Sequence, residues 1–216
     1  KQVHLISIFL ILTHFTWAAT TSASPNVLII VTDDQGRWSL GEYDDRIATP
    51  NIGYLADNGV RFDQAITPTP VCSAARASLY TGRMASQHGI HGVISENGDQ
   101  DDWLKNERLI SEVLDENGYR VGLFGKWHAD TRGWKPARGF HRWLTYDERA
   151  AHWINSYQHS GTVHFSRDGT PFQYTGIQAR YISESTVDFI DETDERPFAA
   201  FVNYVEPHWP FEGLPE

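Results

Sequence analysis

Residues 26–34 read Asn-Val-Leu-Ile-Ile-Val-Thr-Asp-Asp, an apolar run rich in β-branched side chains that ends in two carboxylates. Such a run is typical of a strand buried on both faces of a parallel sheet. Two later stretches repeat the pattern: 119–124 precedes Gly125-Lys126-Trp127-His128, and 198–205 precedes Glu206-Pro207-His208. In open α/β sheets the carboxyl ends of the strands form the edge where ligands bind. The sequence therefore predicts a site built from the residues that follow these strands.

Helical patterns separate the predicted strands. Thr49-Pro50 supplies a cap residue and a first-turn proline, and Gly59 ends that helix. Apolar spacing predicts three further helices, at 75–83, 109–116 and 177–192, and one more strand, at 60–66. This alternation argues for an α/β fold in which helices flank a mostly parallel central sheet.

The stretch 127–174 is rich in aromatic residues, glycine, arginine and histidine. It is predicted to be an irregular insertion that lines a cleft. Its tryptophans, which include Trp127, Trp134, Trp143 and Trp153, either stack on substrate rings or pack in the interior.

The composition indicates one globular domain, because 40% of the 216 residues are hydrophobic and 21% are charged. The net charge of -10, without any Lys/Arg-rich patch, argues against nucleic acid as a partner. Residues 5–12 form an apolar run that is too short to span a bilayer, and small residues follow it up to Ser24. This predicts a signal peptide over 1–24 with an incomplete start, and a secreted or periplasmic protein. A lipid anchor or a buried strand is the alternative.

Asp33 and Asp34 are adjacent hard oxygen donors at a strand end, where a bend lets both reach one cation. Ca²⁺ takes about 6 to 8 oxygens, so two carboxylates form only part of a site. Asp-Asp-Gln-Gly is also good turn chemistry, and a solvated turn is the alternative.

Cys72 is the only cysteine, so it is paired outside this segment, left free, or chemically altered. A helix that begins here places Cys72 and Arg76 on one face. Its free N–H groups favour an anion and depress the pKa of a thiol. The alternative is a buried structural cysteine and a surface arginine.

Lys126 and His128 share a face in an extended segment, and a cation beside an imidazole suits ester cleavage. A surface lysine and a turn histidine would need no such role. His208, between Pro207 and Pro210, is a positioned acid or base or a simple loop histidine. His88 and His91 could be ligands by type, but the glycines around them favour a role in packing and hydrogen bonding.

These motifs together resemble the sulfatase family of the alkaline-phosphatase-like superfamily. Its signature, Cys or Ser-x-Pro or Ala-x-Arg followed by Thr-Gly, is matched by Cys72-Ser73-Ala74-Ala75-Arg76 and Thr81-Gly82. The first strand with Asp33-Asp34, then Gly125-Lys126-Trp127-His128 and Pro207-His208-Trp209-Pro210, follow the family's order. The usual Leu-Gly after His128 is replaced by Ala129-Asp130, which changes the cleft more than the chemistry.

The resemblance implies that Cys72 is converted to formylglycine by a formylglycine-generating enzyme or an equivalent maturase. It implies that Asp33, Asp34 and residue 72 bind Ca²⁺, that Arg76 anchors the aldehyde hydrate, and that Lys126 contacts the sulfate. His128 assists release of the aldehyde, and His208 is a sulfate contact or the proton donor to the leaving alcohol. The implied substrate is a sulfated small molecule or a sulfated carbohydrate.

The family's remaining metal ligands and a second lysine lie further along its sequences. Residues 25–216 are therefore interpreted as the N-terminal part of a sulfatase catalytic domain, truncated at the C-terminus, and this chain alone is expected to turn over little. A phosphodiesterase or phosphonate monoester hydrolase of the same superfamily is one alternative. A non-catalytic protein that binds sulfated glycans is another, although binding alone does not require a nucleophile.

Overall fold

The computed structural model describes residues 24–94, 103–130, 133–147 and 159–210. Six strands form one sheet in the order β1-β6-β2-β3-β4-β5. The strands are β1 (Val27–Val31), β2 (Arg120–Gly125), β3 (Arg142–Tyr146), β4 (Thr162–Arg167), β5 (Thr170–Thr175) and β6 (Phe198–Asn203). The helices are α1 (Pro50–Asn58), α2 (Cys72–Thr81), α3 (Ala85–His88), α4 (Ile110–Glu116) and α5 (Gln178–Asp191), with a 3-10 turn at Arg37–Ser39.

The sheet is mixed. Strands β1, β6, β2 and β3 run parallel to one another, whereas β4 pairs antiparallel with β3 and β5 pairs antiparallel with β4 at the edge of the sheet. The predicted α/β fold with a parallel centre is confirmed. In the parallel part, Val31 and Gly125 both lie opposite Asn203, so β1, β2 and β6 end at the same level.

Successive side chains of the central strands enter different apolar clusters on the two sides of the sheet. Leu123 of β2 packs with Tyr80 of α2 in one cluster, and the next residue, Phe124, packs with Ile182 of α5 in the other. Burial on both faces explains why β2 and β6 read as nearly continuous apolar runs.

The prediction for the first strand was right about its position and wrong about its burial. β1 lies at the edge of the sheet, and Leu28 and Ile30 are 48% and 53% exposed. In register they lie opposite Ala200 and Val202, whose side chains belong to the cluster beneath α5. That cluster covers β6, and among the described residues nothing buries the corresponding face of β1.

Two other predictions are wrong. Residues 60–66 form no strand, and Val60, Phe62 and Ile66 are at least 77% exposed. The stretch 127–174 is not simply an irregular insertion, because it supplies β3, β4 and most of β5. Trp127 and Trp143 are each 1% exposed and pack in the core, with ring centroids 5.1 Å apart.

The predicted helices at 50–58, 75–83, 109–116 and 177–192 are confirmed, but the second begins three residues earlier, at Cys72. No helix in the described ranges is long and apolar enough to cross a membrane. Residues 1–23 of the predicted signal peptide lie outside the described ranges. Trp153 and the residues after Pro210 also lie outside them.

Candidate active site

The three polar clusters predicted from the sequence lie together at the carboxyl edge of the sheet. Asp33 follows β1, Lys126 follows β2 and Glu206 follows β6. The backbone N–H of Asp33 donates to the Glu206 carbonyl at 3.3 Å, and Lys126 N–H donates to the Asn203 carbonyl at 2.9 Å. These bonds continue the parallel pairing past the strand ends and hold the polar residues side by side.

A buried charge cluster occupies the centre of this edge. The Lys126 ammonium forms an ion pair with Asp33 Oδ2, and an Arg76 guanidinium nitrogen lies 3.7 Å from the same oxygen. Lys126 is fully buried, Arg76 is 4% exposed and Asp33 is 6% exposed. Burial raises the pKa of Asp33, but the charges of Lys126 and Arg76 outweigh it and leave the pKa below its ordinary value. Asp33 is therefore a carboxylate at neutral pH.

Backbone geometry aims Lys126 into this cluster. Its carbonyl accepts from Arg76 Nη1 at 2.8 Å and from Asn203 Nδ2 at 2.9 Å. The side-chain amide of Asn203 also donates to the Tyr80 hydroxyl, at 2.6 Å. Sequence reasoning missed both Tyr80 and Asn203, because a buried tyrosine on a helix and an asparagine in an apolar strand carry no recognisable motif.

Cys72 is the first residue of α2 and lies one helical turn before Arg76. It is partly buried, and as the only cysteine it has no partner within the chain. The next residue, Ser73, accepts a hydrogen bond from the Ile94 N–H at 3.0 Å. Ile94 in turn accepts from His128, so one short segment ties the start of α2 to that histidine.

His128 is held as a neutral imidazole. Its Nε2 lies 3.2 Å from the Ile94 carbonyl, which only accepts, so Nε2 carries the hydrogen and Nδ1 is the basic nitrogen. Burial and the nearby Lys126 charge lower its pKa to about 3. Its backbone has a φ of 47°, in the left-handed region, which turns the chain at the end of the Lys126 segment.

His208 lies at the outer side of the site. Its Nε2 is 3.7 Å from Asp34 Oδ2, and its backbone N–H donates to the Val205 carbonyl at 2.8 Å. Asp34 is exposed and has a φ of 57°, so the chain turns immediately after Asp33. The two neighbouring aspartates therefore differ: Asp33 faces buried cations, and Asp34 faces solvent and His208.

The donor set fits a hard divalent cation in type, because Asp33 and Asp34 offer carboxylate oxygens. Within the described ranges, however, no three His, Cys, Asp or Glu side chains form a group that could hold a metal ion. The predicted set of Asp33, Asp34 and Cys72 is thus not preassembled, since Asp33 is engaged by two cations and Asp34 points outward. Its role as a metal site stays a prediction.

His88 has the hydrogen-bonding role expected for it. Its Nδ1 accepts from the Ile90 N–H at 3.1 Å, so Nε2 carries the hydrogen and donates to the Ser78 hydroxyl at 3.0 Å. Burial lowers its pKa. The hydrogen bond from His88 to Ser78 therefore holds α2 against the segment that carries His88. His91 is exposed.

Two more residues at this edge were missed by sequence reasoning. Tyr146 ends β3, is buried, and has its pKa raised by burial and by the Glu206 carboxylate. His159 is 5% exposed, and its Nε2 lies 2.9 Å from the His208 carbonyl. A tyrosine in a strand and a histidine in a loop give no signal of such a place in the fold.

Comparisons with known proteins agree with this arrangement. The family model described as Sulfatase matches residues 25–216. The uncharacterized sulfatase YidJ of Escherichia coli (strain K12) is 30% identical over 210 residues, which cover 87% of this chain and 39% of that protein. Arylsulfatase A of Bos taurus is 35% identical over 128 residues, which cover 57% of this chain and 25% of that protein.

A solved structure gives the same picture. The crystal structure of Ps i-CgsB in complex with k-i-k-neocarrahexaose superposes with a TM-score of 0.75 at 27% identity, and the match covers 88% of this chain and 46% of that one. The chain thus spans less than half the length of these proteins. Its mixed sheet, with helices on both sides, is the alkaline-phosphatase-like fold of its structural neighbours. Because the family model covers nearly the whole of the described structure, the chain belongs to the sulfatase family.

Proposed function

We propose that the polypeptide containing this chain hydrolyses sulfate monoesters, and that residues 25–216 are the N-terminal part of its catalytic domain. The observation that carries the proposal is the buried cluster of Asp33, Arg76 and Lys126, one helical turn from Cys72. Two buried cations that share one carboxylate leave a net positive charge, which suits an anionic ester. Family membership makes sulfate that anion.

The nucleophile is proposed to come from Cys72 after conversion to formylglycine by a maturase. One hydroxyl of the aldehyde hydrate loses its proton to water, the resulting oxyanion attacks sulfur, and the bond between sulfur and the ester oxygen breaks. The leaving oxygen takes a proton from His208 and departs as an alcohol. Arg76 holds the hydrate from the same face of α2, and Lys126 contacts the sulfate oxygens.

His128 is proposed to complete the turnover. Its imidazole is neutral above a pH of about 3, so Nδ1 is available to accept a proton. It takes the proton from the remaining hydroxyl of the sulfated hydrate, the aldehyde double bond re-forms, and sulfate leaves. Water then regenerates the hydrate. Burial and the Lys126 charge keep the imidazole unprotonated before this step begins.

Asp33, Asp34 and residue 72 would hold the Ca²⁺ of the complete site, with further oxygens from outside the described ranges. The cation would offset the charge of the sulfate and lower the pKa of the hydrate. The carboxylates already present match its preference for oxygen donors.

For the substrate we propose a sulfated carbohydrate over a small aryl sulfate. Support comes from the structural neighbour that is bound to a neocarrahexaose. We further propose that the protein is exported, on the strength of the apolar run and the small residues that precede Pro25.

Mass spectrometry of the peptide around residue 72 tests the proposal directly, with protein made in a host that has the maturase. The complete polypeptide should show the mass of an aldehyde in place of the thiol and should hydrolyse aryl sulfate faster than an aryl phosphate diester. An unmodified thiol in fully active enzyme would refute the nucleophile, and the opposite substrate order would indicate a phosphodiesterase. The 216-residue chain alone should turn over little.

A further inference from the structure

We propose that His159 is a positioning residue that holds His208 in place to protonate the leaving alcohol. The inference rests on the proposed function of His208. Its starting point is the contact between the two residues, 49 positions apart: His159 Nε2 lies 2.9 Å from the His208 carbonyl oxygen. Because a carbonyl only accepts, the imidazole N–H of His159 must donate.

His159 is itself fixed to a rigid part of the fold. Its side chain is buried, with the residue 5% exposed. Its carbonyl accepts from the backbone N–H of Gln178, the first residue of α5, at 3.1 Å. Two residues later, the Gly161 carbonyl accepts from the Gly176 N–H at 2.9 Å, which closes the open end of the β4–β5 hairpin. The donor therefore stands on a helix start and a hairpin.

The segment that carries His208 is joined to the central strands by backbone hydrogen bonds. Beyond β6, Tyr204 N–H donates to the Val31 carbonyl, Asp33 N–H donates to the Glu206 carbonyl, and His208 N–H donates to the Val205 carbonyl. The bond from His159 joins the His208 carbonyl to the opposite side of the sheet, where the chain leads from His159 into β4.

The ring of His208 faces Asp34 at 3.7 Å while its backbone is held by His159. The ring also donates from Nδ1 to the Trp209 carbonyl at 2.5 Å, so the imidazole is fixed relative to its own peptide, and the His159 bond holds that peptide. Without the His159 donor, the His208 carbonyl loses a buried partner, and the peptide that carries the imidazole can rotate. A proton donor that is displaced by about 1 Å loses much of its effect, because proton transfer requires hydrogen-bond reach.

A positioning role differs from a structural role in its dependence on the leaving group. A nitrophenol departs as a stable anion and needs little help, whereas a sugar or alkyl alcohol must be protonated as it leaves. Loss of His208 alignment should therefore slow alkyl sulfates far more than nitrophenyl sulfate. A loss of folded protein slows both substrates equally.

The test compares His159→Leu with His159→Gln in the complete, matured protein, with 4-nitrophenyl sulfate and a monosaccharide 6-sulfate as substrates. We expect the leucine variant to lose about 30-fold or more in kcat on the sugar sulfate and no more than about threefold on nitrophenyl sulfate. The glutamine variant retains an N–H donor and should recover about tenfold of the loss. If leucine prevents folding, His159→Asn, whose side chain is too short to reach, replaces it.

A double variant separates this inference from the function beneath it. His159→Leu added to His208→Gln should cost no further activity on the sugar sulfate, since both changes remove one proton donor. Additive losses, or equal losses on the two substrates, would overturn the positioning role and leave the sulfatase assignment intact. A wild-type protein that cleaves neither sulfate would overturn the proposed function and this inference together.

Discussion

Lys126 and Asp33, 93 residues apart in the sequence, form a buried ion pair at the point where β1 and β2 end. Neither side chain can be solvated by water in place of this pair, because Lys126 is fully buried and Asp33 is nearly so. Arg76 shares the same carboxylate. The Asp33 carboxylate thus faces two buried positive charges, and the stability of this edge depends on it.

Replacing Asp33 with asparagine should destabilise the 216-residue chain by about 3 kcal/mol, because it leaves two buried cations without a counter-charge. The side chain keeps its size, so packing changes little. Urea unfolding at pH 7, monitored by tryptophan fluorescence, measures the free energy of unfolding.

The matched control for this change is Asp34→Asn. Asp34 is the neighbouring aspartate, its side chain is 67% exposed, and its contact with His208 is long. Its replacement should alter the free energy of unfolding by less than about 0.5 kcal/mol. Equal losses in the two variants would show that the buried pair contributes no more than a surface contact.

Gly125 should tolerate no side chain. Its φ is 104°, and an added Cβ would lie 2.0 Å from the Asn203 carbonyl oxygen. Because backbone atoms of β6 cannot move aside cheaply, Gly125→Ala should cost about 3 kcal/mol or more and displace Lys126. Gly92→Ala is the control, since it has no strained φ and nothing lies near its Cβ. Thermal unfolding of both variants makes the comparison, and a Gly125→Ala protein as stable as the control would contradict the clash.

The sequence was sufficient to predict the parallel strands β1, β2 and β6, but not the fourth parallel strand, β3, or the antiparallel strands β4 and β5. β2 and β6 are covered on both faces of the sheet, so nearly all of their residues are apolar and the strands can be recognised in the sequence. β5 is mostly exposed and contains Pro171, and β4 carries His164 and two polar ends, so neither has an apolar run. The turn between β4 and β5 carries a signal that could have revealed this hairpin. Asp168-Gly169 joins Arg167 to Thr170 with φ values of 50° and 88°, which is the geometry of a two-residue hairpin turn.

The candidate site shows the same division. Its charged residues were predictable because Asp33 and Lys126 follow strands that the sequence reveals and Arg76 belongs to the motif that begins at Cys72. Their partners were not, since Lys126 depends on Asn203 and Tyr80, which lie on another strand and a helix. Such long-range pairing depends on the register between elements, which a single sequence does not encode in any local pattern.

His128 should make the folded chain sensitive to acid. Its pKa is about 3 in the folded protein and 6.5 ordinarily, so the unfolded chain binds a proton that the folded chain refuses. The charges that face it are Lys126, Arg76 and Asp33. As far as His128 is concerned, the folded chain therefore keeps its full stability above pH 6.5, and its free energy of unfolding decreases as the pH falls from 6.5 towards 3.

His128→Gln removes this titration. Relative to its own value at pH 7, the variant should lose about 2 kcal/mol less stability than the wild type at pH 4.5. Urea unfolding at the two pH values gives the difference. His91→Gln, at an exposed histidine, should follow the wild type. Parallel curves for wild type and His128→Gln would mean that His128 is accessible to protons in the folded state.

Calcium and Lys126 should compete for Asp33. Any cation that binds this carboxylate must face the ammonium already paired with it. Lys126→Met keeps the length of the side chain and removes the charge, so it should raise the affinity of the 216-residue chain for Ca²⁺ by about tenfold, or about 1.4 kcal/mol. Isothermal titration calorimetry measures the dissociation constant, which for the unaltered chain should lie near the millimolar range of incomplete sites.

Lys135→Met provides the comparison that isolates position from net charge. Lys135 is exposed, and its ammonium lies 4.4 Å from the centroid of the Trp134 ring, so its removal should leave the affinity within about twofold of the wild type. A third protein, Asp33→Asn, should bind no Ca²⁺ in the same range. If Lys126→Met and Lys135→Met raise the affinity equally, the effect is one of overall charge. If Asp33→Asn still binds as the wild type does, the carboxylate beneath Lys126 is no ligand, and the Ca²⁺ site proposed for this edge is wrong.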